Sequence, residues 1–439
     1  MSTVKIDFEK QVGKIKIMHA VNNGPVVAGK DQKRGNEKYY KMARIPYARN
    51  HDASFFSGYG GEHSVDVHAI FRNFDADVND ESSYDFACTD HHIAQVYDAG
   101  TKVYYRLGSR IEHEVKKYGT HVPKDFKKWA QVCEHIIRHY TEGWANGFHY
   151  DLEYWEIWNE PDLDADDSTN KRCWQGTEAQ FAELYCIASK HLKECFPHLK
   201  IGGPASAGDE AWMTRFLERI SKEGAPLDFF SYHWYWTQPY DMSAKMTRVR
   251  KIVDDAGYKN AETILNEWNY VRGWVDEFVY SIEQMVGMKG AAFMAACMTV
   301  GQKNPGIDML MYYDARPCAM NGLFDMYTYR PLKGYFTVYA YSNLYELGTE
   351  TYSECEDEDI YVVSATDGAK KSMMVTYYAE DDNKDAKLVT IDAGSTDLSN
   401  AKVYVTDRNR SLEISPAEEI CDGKLTLWLE RNSIAYIEC

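Results

Sequence analysis

The sequence predicts an α/β protein, a (β/α)8 TIM barrel with a C-terminal all-β sandwich domain. Three observations predict it. Short runs rich in β-branched and aromatic residues alternate with stretches of helical periodicity from Lys14 to about Asn343, the pattern of parallel βαβ units. Eight such runs occur, the number that closes a barrel. Beyond Asn343 the helical patterns stop, and short alternating runs follow one another between turn residues, as in a sandwich.

The eight barrel strands are expected at Lys14–Asn22, Ala43–Tyr47, Lys102–Leu107, Glu153–Trp158, Lys200–Gly203, Leu227–Trp234, Glu262–Asn266 and Gly306–Tyr313. Helices fill the gaps. Pro123 can open one as its first residue, with Phe126, Trp129, Val132, Ile136 and Tyr140 at helical spacing. Glu178–Cys195 repeats the pattern, as does Ala211–Gly224 through Trp212, Phe216 and Ile220. Phe278–Thr299 is apolar throughout and reads as one long buried helix. The barrel is assigned to residues 12–345 and the sandwich to 346–439, with 1–11 as a candidate addition through Thr3–Phe8. The sandwich strands are Ile360–Ala365, Ser372–Tyr378, Lys387–Asp392, Ala401–Thr406, Lys424–Leu429 and Ser433–Glu438.

A chain of 439 residues is long for one core, which agrees with two domains. Hydrophobic residues make up 44% and charged residues 26%, an ordinary soluble composition. The net charge of −18 opposes binding to nucleic acid or an anionic membrane and leaves a small neutral substrate indifferent. The ten cysteines are scattered, with no C-x-x-C pair, so neither a disulfide framework nor a zinc site is indicated. Residues 1–16 lack the apolar core of a signal peptide, and no stretch reaches the ~18 apolar residues of a membrane span. A cytoplasmic enzyme is expected, without metal or other cofactor, and a homo-oligomer is compatible with the sequence. His135 and His139 lack the glutamate of a zinc-protease motif, Gly58–Gly61 is not a phosphate loop, and there is no G-x-S-x-G elbow.

Barrel active sites lie at the C-terminal ends of the strands. The fourth strand ends in Trp158-Asn159-Glu160-Pro161 and the seventh in Leu265-Asn266-Glu267-Trp268. Two carboxyls facing one another across a barrel mouth suit cleavage of a glycosidic bond, one protonated to release the leaving oxygen and one ionised to attack the sugar carbon. Because side chains alternate along a strand, Asn159 and Glu160 reach the site together only if the strand twists or bulges at its end. Asp162 and Glu156 are alternative acids; Glu156, deeper in the strand, reads as a buried network partner. Aromatic residues crowd the same loops: Phe55, Phe56 and Tyr59, Trp174, and Trp234, Tyr235, Trp236 and Tyr240. Rings of this kind pack on sugar faces as well as on one another.

The segment Trp155-Glu156-Ile157-Trp158-Asn159-Glu160-Pro161-Asp162 resembles the strand-four motif of glycoside hydrolase clan A. Its surroundings look most like family 39, which includes β-xylosidases and is related to α-L-iduronidases. The resemblance covers roughly residues 14–345. It implies that Glu160 is the acid/base, that Asn159 binds the sugar 2-hydroxyl and that Glu267 is the nucleophile. Ser231-Tyr232-His233-Trp234-Tyr235 resembles the clan's strand-six motif, which implies that His233 lines the site and Tyr235 hydrogen-bonds the nucleophile. Two places depart from the pattern. The family's basic residues at the end of strand two correspond to Arg44-Ile45-Pro46-Tyr47-Ala48-Arg49-Asn50-His51-Asp52, where Arg44, Arg49 and His51 compete and Arg44 and His51 are the expected pair. Strand eight ends in Tyr312, Tyr313 and Asp314 where the clan often has Trp, so Tyr312 is the expected platform beside Trp174. The resemblance points to a retaining, exo-acting hydrolase of β-xyloside-like pentosides or galactose-like glycosides; the competing class is a non-catalytic sugar-binding or sensing protein on the same barrel.

Overall fold

The computed structural model describes residues 2–27, 35–52, 64–417, 419–421 and 423–439. Eight parallel strands close a barrel in chain order: β2 (Ile17–Asn22), β3 (Tyr47–Arg49), β4 (Lys102–Leu107), β5 (Tyr154–Ile157), β6 (Lys200–Ser206), β7 (Phe229–Trp236), β8 (Glu262–Tyr270) and β9 (Met309–Tyr312). The closure is made by β2 against β9, with Ile17 opposite Met309 and Val21 opposite Tyr312.

The period-two alternation of the strands decides what fills the barrel. Its lower layer is apolar and aromatic, with Tyr47, Tyr104, Tyr154, Phe229, Ile264 and Met309 in one buried cluster. Two residues further along each strand the inward positions turn polar: Arg49, Arg106, Glu156, Ser231 and Asn266 are all fully or almost fully buried. Residues on the other strand faces, such as Val103, Tyr105, Trp155, Ile157 and Leu265, belong to the core shared with the helices. The interior is therefore a packed plug that supports a polar floor, and the floor carries the site.

β1 (Ser2–Lys14) enters a second sheet with β10 (Thr349–Cys355), β11 (Ile360–Thr366), β12 (Lys371–Tyr377), β13 (Lys387–Asp392), β14 (Lys402–Thr406), β15 (Ser411–Ile414), β16 (Glu419–Cys421), β17 (Lys424–Leu429) and β18 (Ser433–Glu438). The hydrogen-bonded order is β15-β14-β18-β12-β11-β10-β1-β13-β17-β16. Val403 of β14 and Val389 of β13 stand far apart in that order yet share one buried cluster, so the sheet folds over itself as a sandwich. β1 lies between β10, antiparallel, and β13, parallel. The opposite sheet face, with Tyr361, Val363, Met374, Ile434 and Tyr436, joins the barrel's core. There it meets helices Met288–Lys303 and Lys333–Leu347, the first buried along nearly its whole length.

Three local expectations change. Residues 43–46 are not strand: Ala43 caps helix Glu37–Met42 and Arg44 has a left-handed φ of 46°, so β3 begins only at Tyr47. The helix after Pro123 begins at Phe126, because the Asp125 carboxylate accepts the Lys127 and Lys128 N–H groups as an N-cap. The expected helix 278–299 is two, Phe278–Met285 and Met288–Lys303, separated at Gly287, whose backbone is extended.

Candidate functional site

The fourth barrel strand, β5, ends irregularly. Trp158 has φ 79° and Glu160 φ 47°, and Glu160 N–H is held by Ala205 O at 2.9 Å. Gly108 makes the turn at Trp158 feasible: it has φ 116°, and a β-carbon there would lie 3.1 Å from Trp158 Cα. Two left-handed residues break the strict alternation, and both Asn159 and Glu160 reach the site. β8 solves the same problem with a bulge. Leu265 pairs with Tyr232 and Glu267 with His233, so Asn266 is the extra residue. Asn266 and Glu267 thus both project into the barrel.

Arg49 organises the floor. Its Nε donates to Glu156 Oε2 at 2.7 Å, Nη1 to Glu267 Oε1 at 2.7 Å and to Asn22 Oδ1 at 3.1 Å, and Nη2 to Asn159 Oδ1 at 2.7 Å. Glu156 Oε1 accepts from Tyr104, Ser231 and Asn266 at 3.1, 2.6 and 2.5 Å. Both oxygens of Glu156 are thereby engaged by the fold. Asp162 is also occupied, on Ser206 Oγ at 2.6 Å and Ala207 N–H at 2.8 Å. Of the carboxyls near the mouth, Glu160 and Glu267 face one another. One oxygen of each, with a ring nitrogen of His233, lies within 4.8 Å of the others.

The pair is asymmetric. Glu267 accepts from the Arg49 cation on Oε1 and from Tyr235 Oη at 2.7 Å on Oε2. Glu160 has His233 Nδ1 at 2.8 Å from Oε1 and Cys173 Sγ at 3.7 Å from Oε2. Burial raises the pKa of both carboxyls to about 7. Arg49 and Tyr235 are bonded directly to Glu267, a set of donors that favours its charged form. Burial lowers the His233 pKa to about 4, so its ring is neutral at pH 7. Its Nε2 and the Asn159 Nδ2 are buried with no partner among the described residues.

The structure therefore brings together Glu160, Glu267, Asn159, His233, Tyr235 and His51. His51 Nδ1 accepts from Arg106 Nε at 3.3 Å, which leaves Nε2 facing Glu267 Oε1 at 3.8 Å. Three expected binding residues lie elsewhere. Arg44 bonds Ser342 Oγ at 3.1 Å and the amide of Asn343 on the barrel's outer helix, because it precedes Pro46 and β3. Trp174 is packed edge-on against Trp158 and Phe181 and donates to Thr177 O, so its ring is core. Tyr312 points outward onto Trp268, its hydroxyl taken by Gly322 N–H at 3.1 Å. The inward position is one residue later: Tyr313 donates to Asp52 and stands edge-on to Tyr235. Tyr240 packs on Tyr361 of the sandwich. Trp274, 57% exposed and edge-on to Tyr235 at 5.0 Å, adds an aromatic from outside the loops that the sequence singles out. Phe55, Phe56, Tyr59 and the glycines around them lie outside the described residues.

Among the three competing basic residues, alternation favours Arg49, two residues after the inward-facing Tyr47. Cys173 had no signal, since its place depends on how the loop after β5 folds back. Among the described residues, two sets have metal-ligand spacing, Glu160–His233–Glu267 and Glu134–His191–Cys195. In the first Arg49 already neutralises Glu267, and in the second Arg138 Nε occupies Glu134 at 2.8 Å. A metal would have to compete with a bonded guanidinium in either. No helix among the described residues is long and apolar enough to cross a membrane.

The profile of the glycosyl hydrolases family 39 matches residues 2–296. A β-xylosidase of Caldicellulosiruptor saccharolyticus is 28% identical over 248 residues, 53% of this chain and 46% of that protein. A β-xylosidase of Geobacillus stearothermophilus is 27% identical over 169 residues, 34% of this chain and 32% of its own. The matched region thus spans less than half the length of these relatives. Among solved structures, a glucosidase from Croceicoccus marinus superposes with a TM-score of 0.78 at 20% identity, covering 100% of this chain and 98% of the other. A monomeric β-xylosidase from Caulobacter crescentus CB15 superposes with a TM-score of 0.72 at 16% identity, covering 100% and 99%. With a family match across two thirds of its length, on a barrel whose mouth holds two opposed glutamates, the chain belongs to glycosyl hydrolase family 39.

Proposed function

We propose that the chain hydrolyses O-glycosidic bonds with net retention, Glu160 serving as general acid/base and Glu267 as nucleophile. The observation that carries this reading is the unequal bonding of two close carboxyls. Glu267 accepts from the Arg49 cation and the Tyr235 hydroxyl, donors that favour its charged form, while Glu160 faces a neutral imidazole and a thiol. A nucleophile needs the first environment and a proton donor the second. Oxygens within 4.8 Å support the retaining separation of about 5–5.5 Å over the wider inverting one.

In the first step a Glu267 oxygen bonds to the anomeric carbon while the Glu160 proton passes to the departing oxygen. In the second, Glu160 takes a proton from water, whose oxygen displaces Glu267. Side chains supply every group, so the reaction needs no cofactor. Asn159 is aimed for the sugar 2-hydroxyl: Arg49 fixes its Oδ1, leaving Nδ2 free to donate. A neutral sugar fits the surroundings better than a uronate. Arg49, Arg106, Arg172 and Arg316, on the floor and rim of the mouth, are each already bound to a carboxylate of the protein. The β-xylosidase relatives favour β-xyloside-like pentosides, with galactose-like glycosides next, released from chain ends. Ten free cysteines favour a reducing compartment such as the cytoplasm.

A panel of chromogenic xyloside, arabinoside, galactoside, glucoside and iduronide tests the reading, with NMR of the first-formed anomer from the best substrate. Hydrolysis of a neutral glycoside with retention is expected. An inverted first product overturns the mechanism. Sugar binding without turnover of any member favours the sensing protein instead.

A further inference from the structure

The loop after β5 is fixed on both sides of Cys173. Arg172 O accepts from Glu112 N–H at 2.9 Å, Cys173 O from Trp158 Nε1 at 2.8 Å, and Gln175 N–H donates to Thr120 O at 2.9 Å. Arg172 also grips Asp164 with Nε and Nη2. The partner segment is equally built: the buried Glu112 carboxylate collects the N–H groups of Tyr118, Gly119 and Thr120 and the Thr120 hydroxyl. These anchors leave the 1% exposed Cys173 side chain aimed at Glu160, with Sγ 3.7 Å from Oε2. The other Glu160 oxygen already has His233, so the thiol is the second polar contact of that carboxyl among the described residues.

We propose that Cys173 is a positioning residue for the acid/base: its S–H donates to Glu160 Oε2, fixes the carboxyl's orientation and favours its ionised form. The inference rests on Glu160 being the acid/base. Burial raises the thiol's pKa well above its ordinary value, so the group stays protonated and remains a donor across the working range. A thiol is a weak donor, so the effect is a modest adjustment of when Glu160 surrenders its proton. Without the donor the ionised carboxylate is less stable, and Glu160 holds its proton to higher pH.

The test compares Cys173→Ala and Cys173→Ser in the full-length chain, reading kcat/KM against pH on a glycoside with a poor leaving group. In Cys173→Ala the alkaline limb should move upward by about 0.5–1 pH unit, the size expected from loss of one weak hydrogen bond to a charged group. In Cys173→Ser, which keeps a donor, it should stay at or below the wild-type position. An unmoved alkaline limb in Cys173→Ala, or the same displacement in both variants, overturns the proposal. A second measurement holds if the alanine variant fails to fold. The wild-type S–H stretching band, identified by difference from Cys173→Ser, should shift as Glu160 ionises and lose that shift in Glu160→Gln; a pH-independent band also overturns the contact. If the band follows Glu160 but Glu160→Ala is not rescued by azide, the acid/base reading fails and the contact stands.

Discussion

Arg49 Nη1 lies 2.7 Å from Glu267 Oε1, and the same guanidinium holds Glu156 through Nε at 2.7 Å. One buried cation is thus shared by two buried carboxylates, one set in the fold and one in the site. Removing one partner of such a group strands the other charge, at a cost of about 3–5 kcal/mol. Arg49→Gln should destabilise the protein by that order in urea denaturation and abolish most turnover. Arg44→Gln is the control. Arg44 meets the amide of Asn343 and an exposed Glu346, so its loss should change stability by less than about 1 kcal/mol and leave activity intact. A collapse of activity in the Arg44 variant would reverse the assignment.

Tyr235 donates to the oxygen of Glu267 that Arg49 does not hold. Tyr235→Phe removes one charge-assisted hydrogen bond worth roughly 1.5–3 kcal/mol, so turnover should fall by about one to two orders of magnitude with the fold intact. Because the bond favours ionised Glu267, its loss raises that pKa, and the acid limb of the pH–rate profile should move upward. Unchanged turnover with an unmoved acid limb would remove Tyr235 from the mechanism.

Most of the barrel was legible because its signal is periodic: strands β4, β7 and β8 lie close to where apolar and aromatic runs placed them. Positions set by a single backbone angle were not. Arg44 has the pattern of a strand residue, but its left-handed φ and the following Pro46 delay β3 to Tyr47. Tyr312 and Tyr313 are both aromatic, and only the register of β9 decides which one faces inward. The Asn159–Glu160 pair could be named from sequence, but the paired positive φ values that aim both side chains are a tertiary outcome. Trp174 is a case of burial winning over exposure: any aromatic in that loop could serve a sugar, and packing between Trp158 and Phe181 decides that this one does not.

Stability should carry the signature of the raised carboxyls. Glu160 has a folded-state pKa of about 7 against an ordinary 4.5. Between those values the folded protein holds a proton the unfolded chain has released, so stability falls as pH rises through that window, at most about 1.4 kcal/mol per pH unit for one group. Glu160→Gln removes the titration. The difference in unfolding free energy between variant and wild type should therefore grow in the variant's favour from pH 4.5 to 7 and level off above. A difference independent of pH would mean that Glu160 titrates normally.

The sandwich is bonded to the ends of β8 and β7. Tyr270 Oη, just beyond Glu267 on β8, donates to Glu380 at 2.8 Å, and Tyr378 Oη donates to Thr237 O, next to the end of β7, at 2.6 Å. Its inner face also covers helices Met288–Lys303 and Lys333–Leu347 through Tyr361, Val363, Met374, Ile434 and Tyr436. Each large apolar side chain buried is worth roughly 1.5–3 kcal/mol, and five of them approach a domain's whole stability of about 5–15 kcal/mol. Deleting the chain from Tyr352 onward should give insoluble or unfolded protein, scored by solubility and circular dichroism. A soluble and fully active barrel would show that the sandwich is dispensable.

Azide separates the two glutamates by role. In Glu160→Ala the leaving group loses its proton donor, which a dinitrophenyl glycoside hardly needs. The glycosyl-enzyme should still form on Glu267 and then accumulate, because no base activates water. Azide requires no base, so it should restore turnover and give a glycosyl azide of retained configuration. In Glu267→Ala no covalent intermediate can form. Glu160 remains as acid, and azide entering the space left by the side chain should attack the sugar directly to give the inverted azide. The bonding around each residue is the reason for this order: Arg49 and Tyr235 both donate to Glu267 and favour its anion, while Glu160 faces a neutral imidazole and one weak thiol donor. Azide products of the opposite pattern would mean that the roles are exchanged, and full activity in either variant would move the chemistry to another part of the mouth.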